Sequence, residues 1–351
     1  MSHTRQQQIH FHILCSRDHF DDWSIVIHEY GHYVENVSST YGSDLIEIIL
    51  NNPSHTLWEN HFDSDKDKDY AMKLAWSEAW ATVFSMICYD FYPELSNIGN
   101  AYPLQKDRIS VYEPFVPNQS SGEAQEATLI AYLWDLYDDT NESGDNMSLG
   151  AYGFWNATMK PGTYDFTDFV NNFDASNYVA QNGELLEKHQ IAPGNLQITN
   201  ESSVNENTPP KFSWTPNGSE SYPNNVFDLV FCSNEGSLVY TVGNINLQSG
   251  IGYKGTMSYQ IPLSEWKKVL SSFEGASYCN VAVRGYQNSK SPTSGPYSSS
   301  TITLRLPIIT INLLIPLDIM RRPHIFLKME LPPIISLLVH QEIGCFKHSG
   351  L

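Results

Sequence analysis

The spacing of apolar residues changes once along the chain, close to residue 190. Before that point apolar residues recur every three or four positions, which predicts helices at 22–37, 70–90 and 122–138. After it, short apolar runs lie between turn-forming clusters, which predicts strands at 196–199, 211–214, 226–231, 238–242, 258–261, 278–284 and 301–305. The pattern predicts a multidomain α+β protein, in which a mainly helical domain precedes an antiparallel β-sandwich.

Composition sets the boundaries of these regions. Residues 1–20 are polar and without a period, so they are expected to be irregular, and the helical domain spans 21–190. Residues 191–306 carry about seven short strands with a tryptophan on an early one, which is typical of an immunoglobulin-like or fibronectin type III module. In 307–351 isoleucine, leucine and proline crowd together without a regular spacing, and this tail is expected to be disordered.

Charge and cysteine content narrow the functional classes. The formal net charge of -19 argues against a nucleic-acid partner and against anionic membrane surfaces. No apolar stretch reaches the roughly 18–20 residues of a membrane span, and no secretion signal is visible. The five cysteines form no CxxC pair, so a thiolate metal site is not expected. On strand parity Cys279 points inward and Cys232 outward, which opposes a disulfide between them.

The clearest chemical motif is His28-Glu29-Tyr30-Gly31-His32. Two histidines four positions apart on a helix share a face, where both imidazoles can bind one Zn²⁺ ion. Glu29 lies about 100° round the helix from His28, beside such an ion rather than on it, as a general base requires. The alternative is a pair of surface histidines on an amphipathic helix.

The surroundings of the motif favour the metal site. On a helical wheel an apolar face lies opposite the two histidines, and this face is expected to be buried. It comprises Trp23, Val26, Ile27, Tyr30, Tyr33, Val34 and Val37. Gly31 lowers helix propensity by about 1 kcal/mol relative to alanine. A glycine at this position is explained if another backbone or the substrate passes close to it.

A catalytic zinc site needs a third protein ligand and an open position. The best candidate is Glu78 on the second predicted helix, since small residues surround it on the wheel and let its side chain approach a metal held by a neighbouring helix. These small residues are Ala71, Ala75, Ala81, Thr82 and Ser85. The alternatives are that Glu78 is solvated, or that Glu59, His61 or Glu94 is the ligand.

A HEYGH motif followed by a helical Glu-x-x-Ala, here Glu78 to Ala81, resembles the gluzincins, the group of zinc peptidases that includes thermolysin. The resemblance covers only the two helices that carry these motifs. It implies one Zn²⁺ per chain, bound by His28, His32 and Glu78, with Glu29 as the catalytic base. Thermolysin-like enzymes orient one ligating histidine with an aspartate soon after the third ligand. Threonine and serine occupy that stretch here, so the residues that orient the ligands stay unassigned.

The same resemblance implies a zincin-like fold and a zinc metalloendopeptidase acting on a peptide or protein. A zincin domain followed by a sandwich also looks like secreted bacterial metallopeptidases, so the parent protein is expected to be extracellular and the sandwich to bind carbohydrate or protein. Zincin domains place a sheet before the HExxH helix, and only about 20 polar residues precede that helix here, so this sheet is expected to be missing. The alternative function is a catalytically weak or inactive fragment whose sandwich serves adhesion or substrate binding.

The third predicted helix supplies further candidates. It is expected to be amphipathic, with Glu123 or Glu126 lining the cleft and Tyr132 serving as an oxyanion donor. The alternative assigns these residues to the core and to a solvated face. Acidic residues further along are candidates for a Ca²⁺ site, although they lack the EF-hand spacing. They are Asp135, Asp138, Asp139 and Asp145.

Overall fold

The fold was analysed in a computed structural model of the chain. It describes residues 23–38, 61, 68–97, 122–140, 146–174, 179–218, 223–287 and 294–307. All of them belong to one compact unit, Met1–Ile308, which combines α-helices with antiparallel sheets. The predictions for 1–20 and for the tail beyond residue 307 lie outside the described residues, as do Glu59 and Asp145.

Six α-helices form the described part of the helical region (residues 23–193). They are α1 (Trp23–Ser38), α2 (Lys68–Phe91), α3 (Glu126–Tyr137), α4 (Gly150–Thr158), α5 (Phe166–Asp174) and α6 (Val179–Lys188). The first three lie close to their predicted positions. The other three, nine or ten residues long, were not predicted, because such short helices repeat their apolar spacing too few times. None of the described helices is long and apolar enough to cross a bilayer.

Helix α3 lies in the middle of the helical core. Each of its residues from Glu126 to Tyr137 is buried, so the helix is not amphipathic as predicted, and the alternative of a solvated face is wrong as well. Two tryptophans of α2, Trp76 and Trp80, belong to the same core as Leu129 and Leu133 of α3. A helix covered on all sides leaves its polar side chains to pair inside the protein.

Helix α1 packs on α2 through the face that carries its histidines. On this face Gly31 and Glu35 are buried, whereas Tyr30 and Val37 on the opposite face are 46% and 58% exposed. The predicted burial of the apolar face is therefore wrong. A Cβ atom on Gly31 would lie 3.1 Å from the Ala81 Cα atom of α2. The prediction that another backbone passes close to Gly31 is confirmed, and this approach decides which face of α1 is covered.

The strand-rich region (residues 194–306) contains eight strands, one α-helix and a short 3-10 helix, Glu201–Ser203, among its described residues. In chain order the strands and the α-helix are β1 (Gly194–Ile198), β2 (Lys211–Thr215), β3 (Val226–Cys232), β4 (Leu238–Asn246), β5 (Met257–Gln260), α7 (Leu263–Ser272), β6 (Tyr278–Gln287), β7 (Ser294–Ser298) and β8 (Ile302–Arg305). One sheet has the order β1-β2-β5, and the other has the order β4-β3-β6-β7 with β8 also paired to β6. All neighbouring strands are antiparallel.

The two sheets share one hydrophobic core. Phe212 and Trp214 of β2 meet Phe231 and Phe227 of β3, with ring centroids 6.2 and 5.5 Å apart. Helix α7 adds Trp266 to the same core. The predicted strands recur with ends shifted by a few residues, whereas β7 and α7 were not predicted.

The two cysteines of the strand-rich region lie on the sheet faces predicted for them, Cys279 inward and Cys232 outward. Cys279 is fully buried, Cys232 is half-buried, and both are free thiols. In the β3–β6 pair Cys232 lies opposite Asn280, so the two sulfur-bearing side chains leave opposite faces of the sheet.

Side chains also cross between the helical and strand-rich regions. The ring of Tyr297, on β7, is buried in the helical core, and its hydroxyl lies 2.8 Å from the Thr167 hydroxyl of α5. The Asn217 amide donates to the Ala192 carbonyl at 2.7 Å. The two regions therefore share buried contacts as well as a chain connection.

Candidate metal centre

Three predicted ligands meet where α1 packs on α2. His28 Nε2 lies 3.1 Å from Glu78 Oε2 and 3.1 Å from His32 Nε2. His32 Nε2 lies 3.6 Å from Glu78 Oε1. His32 and Glu78 are buried and His28 is half-buried. The structure thus brings the two motif histidines and the predicted third ligand into one cluster.

The spacing of this cluster fits a tetrahedral metal ion. Two atoms bound at about 2.0–2.1 Å to a tetrahedral Zn²⁺ lie about 3.3 Å apart. The facing atoms of the three pairs are 3.1, 3.1 and 3.6 Å apart, with His28 and His32 facing different oxygens of Glu78, and one ligand atom from each residue lies within 4.8 Å of the other two. Two imidazoles and one carboxylate are also a ligand set that Zn²⁺ takes at catalytic sites with an open fourth position. The residues present therefore fit a bound Zn²⁺.

Hydroxyl groups orient both imidazole rings. His28 Nδ1 lies 3.1 Å from Thr82 Oγ1. His32 Nδ1 lies 3.1 Å from Ser77 Oγ, whose hydroxyl donates to Glu35 Oε2 at 2.7 Å. Because the Ser77 hydrogen goes to Glu35, the Ser77 oxygen accepts from His32 Nδ1–H. The lone pair of His32 Nε2 then faces the cluster, as a metal ligand requires.

Buried charges shift two pKa values at the centre. Burial alone would lower the pKa of His28, but the hydrogen bond and charge of Glu78, helped by Glu29 and Glu126, raise it above 6.5. Burial raises the pKa of Glu35 to about 8, against the effect of its hydrogen bond from Ser77. The site thus concentrates negative charge around the histidines, which favours a cation there.

Glu29, the predicted base, lies beside the cluster. It is half-buried, and its charge acts on the neighbouring His28. Among the described residues its carboxylate has no hydrogen-bond partner. A carboxylate in this position is available to take a proton from a water molecule next to the cluster.

Glu126 is the candidate cleft residue with the clearest link to the centre. Its Oε1 atom lies 2.9 Å from His61 Nε2, and both side chains are buried. The charge of Glu126 contributes to the raised pKa of His28. His61 was an alternative ligand, but in the structure it pairs with Glu126 and lies outside the three-residue cluster.

Tyr132 and Glu123 have different surroundings. The Tyr132 ring is fully buried, 5.0 Å from the Phe166 ring, and its hydroxyl donates to Asn182. A phenol hydrogen committed inside the core is not directed at a substrate, so this placement argues against the predicted oxyanion role. Glu123 is buried. The pKa of Tyr297 is raised mainly by the burial of the Tyr297 hydroxyl and next by the charge of Glu123.

The remaining candidates do not join the centre. Glu94 is exposed on a short 3-10 helix, Pro93–Asn97. Of the calcium candidates, Asp135 accepts from Lys188 Nζ at 2.7 Å and from His189 Nε2 at 2.8 Å. Burial would raise the pKa of Asp135, but these two partners lower it. A carboxylate already neutralised in this way is a poor calcium ligand.

Two residues of the centre, Ser77 and Glu35, were not predicted. Both could have been suspected from position, because Glu35 follows His32 by three residues on the same helix face and Ser77 precedes Glu78. Their partnership depends on how closely α1 approaches α2, which a single helical wheel does not show. Thr82, left without a role by the sequence, contacts His28.

Comparisons with protein-family models, curated proteins and solved structures found no match to this chain.

Proposed function

We propose that the protein is a zinc-dependent metallopeptidase of the gluzincin kind. The observation that carries this proposal is the cluster of His28, His32 and Glu78, whose facing side-chain atoms lie 3.1–3.6 Å apart, close to the separation of two ligands on a tetrahedral Zn²⁺. When bound, Zn²⁺ lowers the pKa of a water molecule and polarises a carbonyl group. Glu78 supplies negative charge to the site, and the two histidines supply neutral nitrogen ligands.

Glu29 performs the proton transfers in this proposal. Its carboxylate takes a proton from the attacking water and then gives it to the leaving amine of the peptide. The support for this role is its position next to His28 and its lack of a hydrogen-bond partner among the described residues. A base that is already engaged elsewhere would have to break that bond first.

The proposal extends to the finer fold of both regions. We assign a zincin-like fold to the helical region and a fibronectin type III or immunoglobulin-like sandwich to the domain predicted at residues 191–306. The strand order supports the second assignment. Such sandwiches place strands A, B and E in one sheet and C, F and G in the other, as β1-β2-β5 and β3-β6-β7 do here, with β4 added beside β3.

The proposed substrate is a peptide or protein, and the proposed location of the parent protein is extracellular. We propose carbohydrate or protein as the ligand of the sandwich. These assignments follow from the proposed peptidase chemistry together with the two-region plan of the chain.

Metal content and hydrolysis of an unstructured protein test the proposal. Desalted protein should hold about one Zn²⁺ per chain, and His32→Ala should abolish binding. Glu29→Gln keeps the shape of the side chain but removes the base, so zinc should stay bound while hydrolysis of casein falls by roughly 10² or more.

The controls separate the parts of the proposal. Wild-type protein without zinc would contradict the metal centre. Loss of zinc together with activity in Glu29→Gln would make Glu29 a structural residue. Wild-type protein that holds zinc but hydrolyses nothing would favour the alternative of a catalytically inactive fragment.

A further inference from the structure

A hydroxyl and a carboxyl group lie in line behind His32. His32 Nδ1 lies 3.1 Å from Ser77 Oγ, and the Ser77 hydroxyl donates to Glu35 Oε2 at 2.7 Å. Ser77 and Glu35 are completely buried, and His32 is 8% exposed. We call His32, Ser77 and Glu35 the buried triad. It connects one candidate metal ligand on α1, through a side chain of α2, to a carboxyl group on α1.

Packing alone does not explain the carboxyl group of the buried triad. Glu35 Oε2 accepts the Ser77 bond, whereas Oε1 has no hydrogen-bond partner among the described residues. A buried carboxyl group with one oxygen unpaired destabilises a fold. A cation held nearby offsets that cost, because opposite charges favour each other inside a protein. The nearest candidate cation site is the one that His32 helps to form.

The other histidine ligand has a simpler partner. His28 Nδ1 lies 3.1 Å from Thr82 Oγ1, and the Thr82 hydroxyl makes no further hydrogen bond among the described residues. On its Nδ1 side His28 therefore contacts a neutral hydroxyl alone. Of the two Nδ1 atoms, only that of His32 is connected through a described hydroxyl to a carboxyl group.

We propose that Glu35 is a positioning residue of the metal centre. Acting through the Ser77 hydroxyl, it holds His32 in the tautomer with hydrogen on Nδ1 and strengthens binding of a divalent cation at Nε2. This inference rests on the proposed function, because it requires a metal ion at the cluster. Hydrogen-bond partners behind a ligating imidazole raise its basicity, and their loss lowers metal affinity by about 10- to 100-fold.

The test measures the affinity of the full chain for Zn²⁺ alone and for Co²⁺ alone, by competition with a chromophoric chelator. Glu35→Gln removes the ionisable carboxyl group, and Ser77→Ala removes the connecting hydroxyl. Ser85→Ala is the matched control, since the Ser85 hydroxyl is also buried on α2 and donates to an α1 carbonyl, that of Ser24, at 3.3 Å. We expect both triad variants to bind about 10- to 100-fold more weakly and the control to bind as wild type does.

Two further measurements separate positioning from a structural role. The visible absorption of the Co²⁺-loaded protein should change in Glu35→Gln, because the basicity of the His32 ring changes. Thermal unfolding of the metal-free protein should be unchanged or shifted to higher temperature in Glu35→Gln, because the variant removes a buried acid. A structural role predicts a lower unfolding temperature.

Each outcome has one meaning. Wild-type affinity in both triad variants overturns the inference and leaves the proposed zinc site standing. Weaker binding that accompanies equal destabilisation of the metal-free protein, in the control as well, also overturns it. Wild-type protein that binds neither ion overturns the proposed function and the inference with it.

Discussion

At the scale of single residues, the candidate metal centre places two carboxyl groups, Glu35 and Glu78, in one buried site. Burial raises the pKa of Glu35 from 4.5 to about 8, Ser77 opposes this shift and the charge of Glu78 adds to it. In the metal-free protein Glu35 is therefore protonated near neutral pH. The unfolded chain has lost that proton well below neutral pH.

This difference predicts a pH dependence of stability. Between about pH 5 and pH 8 the native metal-free protein holds a proton at Glu35 that the unfolded chain lacks, so its free energy of unfolding falls as pH rises. Glu35→Gln removes this contribution. In urea unfolding with a chelator present, wild type should lose more than about 1 kcal/mol relative to the variant across that range. Parallel curves for the two proteins would contradict the prediction.

The sequence predicted the members of the centre that depend on a single helix. His28 and His32 share a face because of their spacing, and Glu29 is placed by the same geometry. Glu78 was found through the small residues on its own helix face. Glu35 was not found, because its role depends on a hydroxyl from another helix and on the separation of the two helices.

At the scale of elements, α3 and the end of α6 are linked through a buried charge. Asp135, on α3, accepts from Lys188 and from His189, which follows α6 directly. The side chains of Asp135 and His189 are 2% and 1% exposed. Because α3 is covered on every side, the Asp135 carboxylate has no bulk water as an alternative hydrogen-bond partner.

Removing this carboxylate should destabilise the helical region strongly. We expect Asp135→Ala to lower the free energy of unfolding by about 3–5 kcal/mol, because Lys188 and His189 lose their buried partner. Denaturant unfolding at neutral pH measures the loss. Lys268→Ala, which breaks the exposed Lys268–Glu265 pair, is the control and should change stability far less. Equal effects of the two variants would contradict the assignment.

Asp135 makes the free energy of unfolding depend on pH in the opposite direction to Glu35. The folded-state pKa of Asp135 lies below its ordinary value, so its stabilising contribution is present at neutral pH and is lost on acidification through that pKa.

Local sequence patterns predicted the long helices and most strands. They failed where contacts with distant parts of the chain determine which face is buried or which segment forms a strand. The face of α1 was assigned wrongly, because the approach of Gly31 to Ala81 outweighs the burial of its apolar side chains. Helix α7 and strand β7 were missed. β7 reads Ser-Gly-Pro-Tyr-Ser, which resembles a turn, and it is a strand because it pairs with β6.

At the scale of the whole molecule, the helical and strand-rich regions meet at close backbone distance. A Cβ atom on Gly183, in α6, would lie 2.8 Å from the Ser299 carbonyl oxygen. Next to it, Glu187 Oε1 accepts from the Ser300 backbone N–H at 2.7 Å and from its hydroxyl at 2.9 Å. Helix α6 can therefore lie directly on this segment only with a glycine at position 183.

This contact yields a prediction about domain coupling. In an isolated helix Gly183→Ala would be stabilising by about 1 kcal/mol, but here it should destabilise the protein by about 1–3 kcal/mol, because the backbone at Ser299 must shift. Calorimetry should also show whether the two regions then unfold separately. Gly252→Ala is the control, because a Cβ atom at position 252 would have no atom of another part of the chain within 4 Å. Its free energy of unfolding should stay within about 0.5 kcal/mol of the wild-type value. A stabilised Gly183→Ala protein would refute the close contact.

The close approach at Gly31 also has a consequence for ion selectivity. Two of the proposed ligands lie on α1 and the third on α2, so the separation of the helix axes sets the size of the ion that all three can reach. Zn²⁺ bonds of about 2.0–2.2 Å differ from Ca²⁺ bonds of about 2.3–2.6 Å by a few tenths of an ångström. A methyl group at position 31 would force a shift of similar size against Ala81. In the proposed zinc site, a residue with no side chain thus helps to determine which ion fits between the two helices.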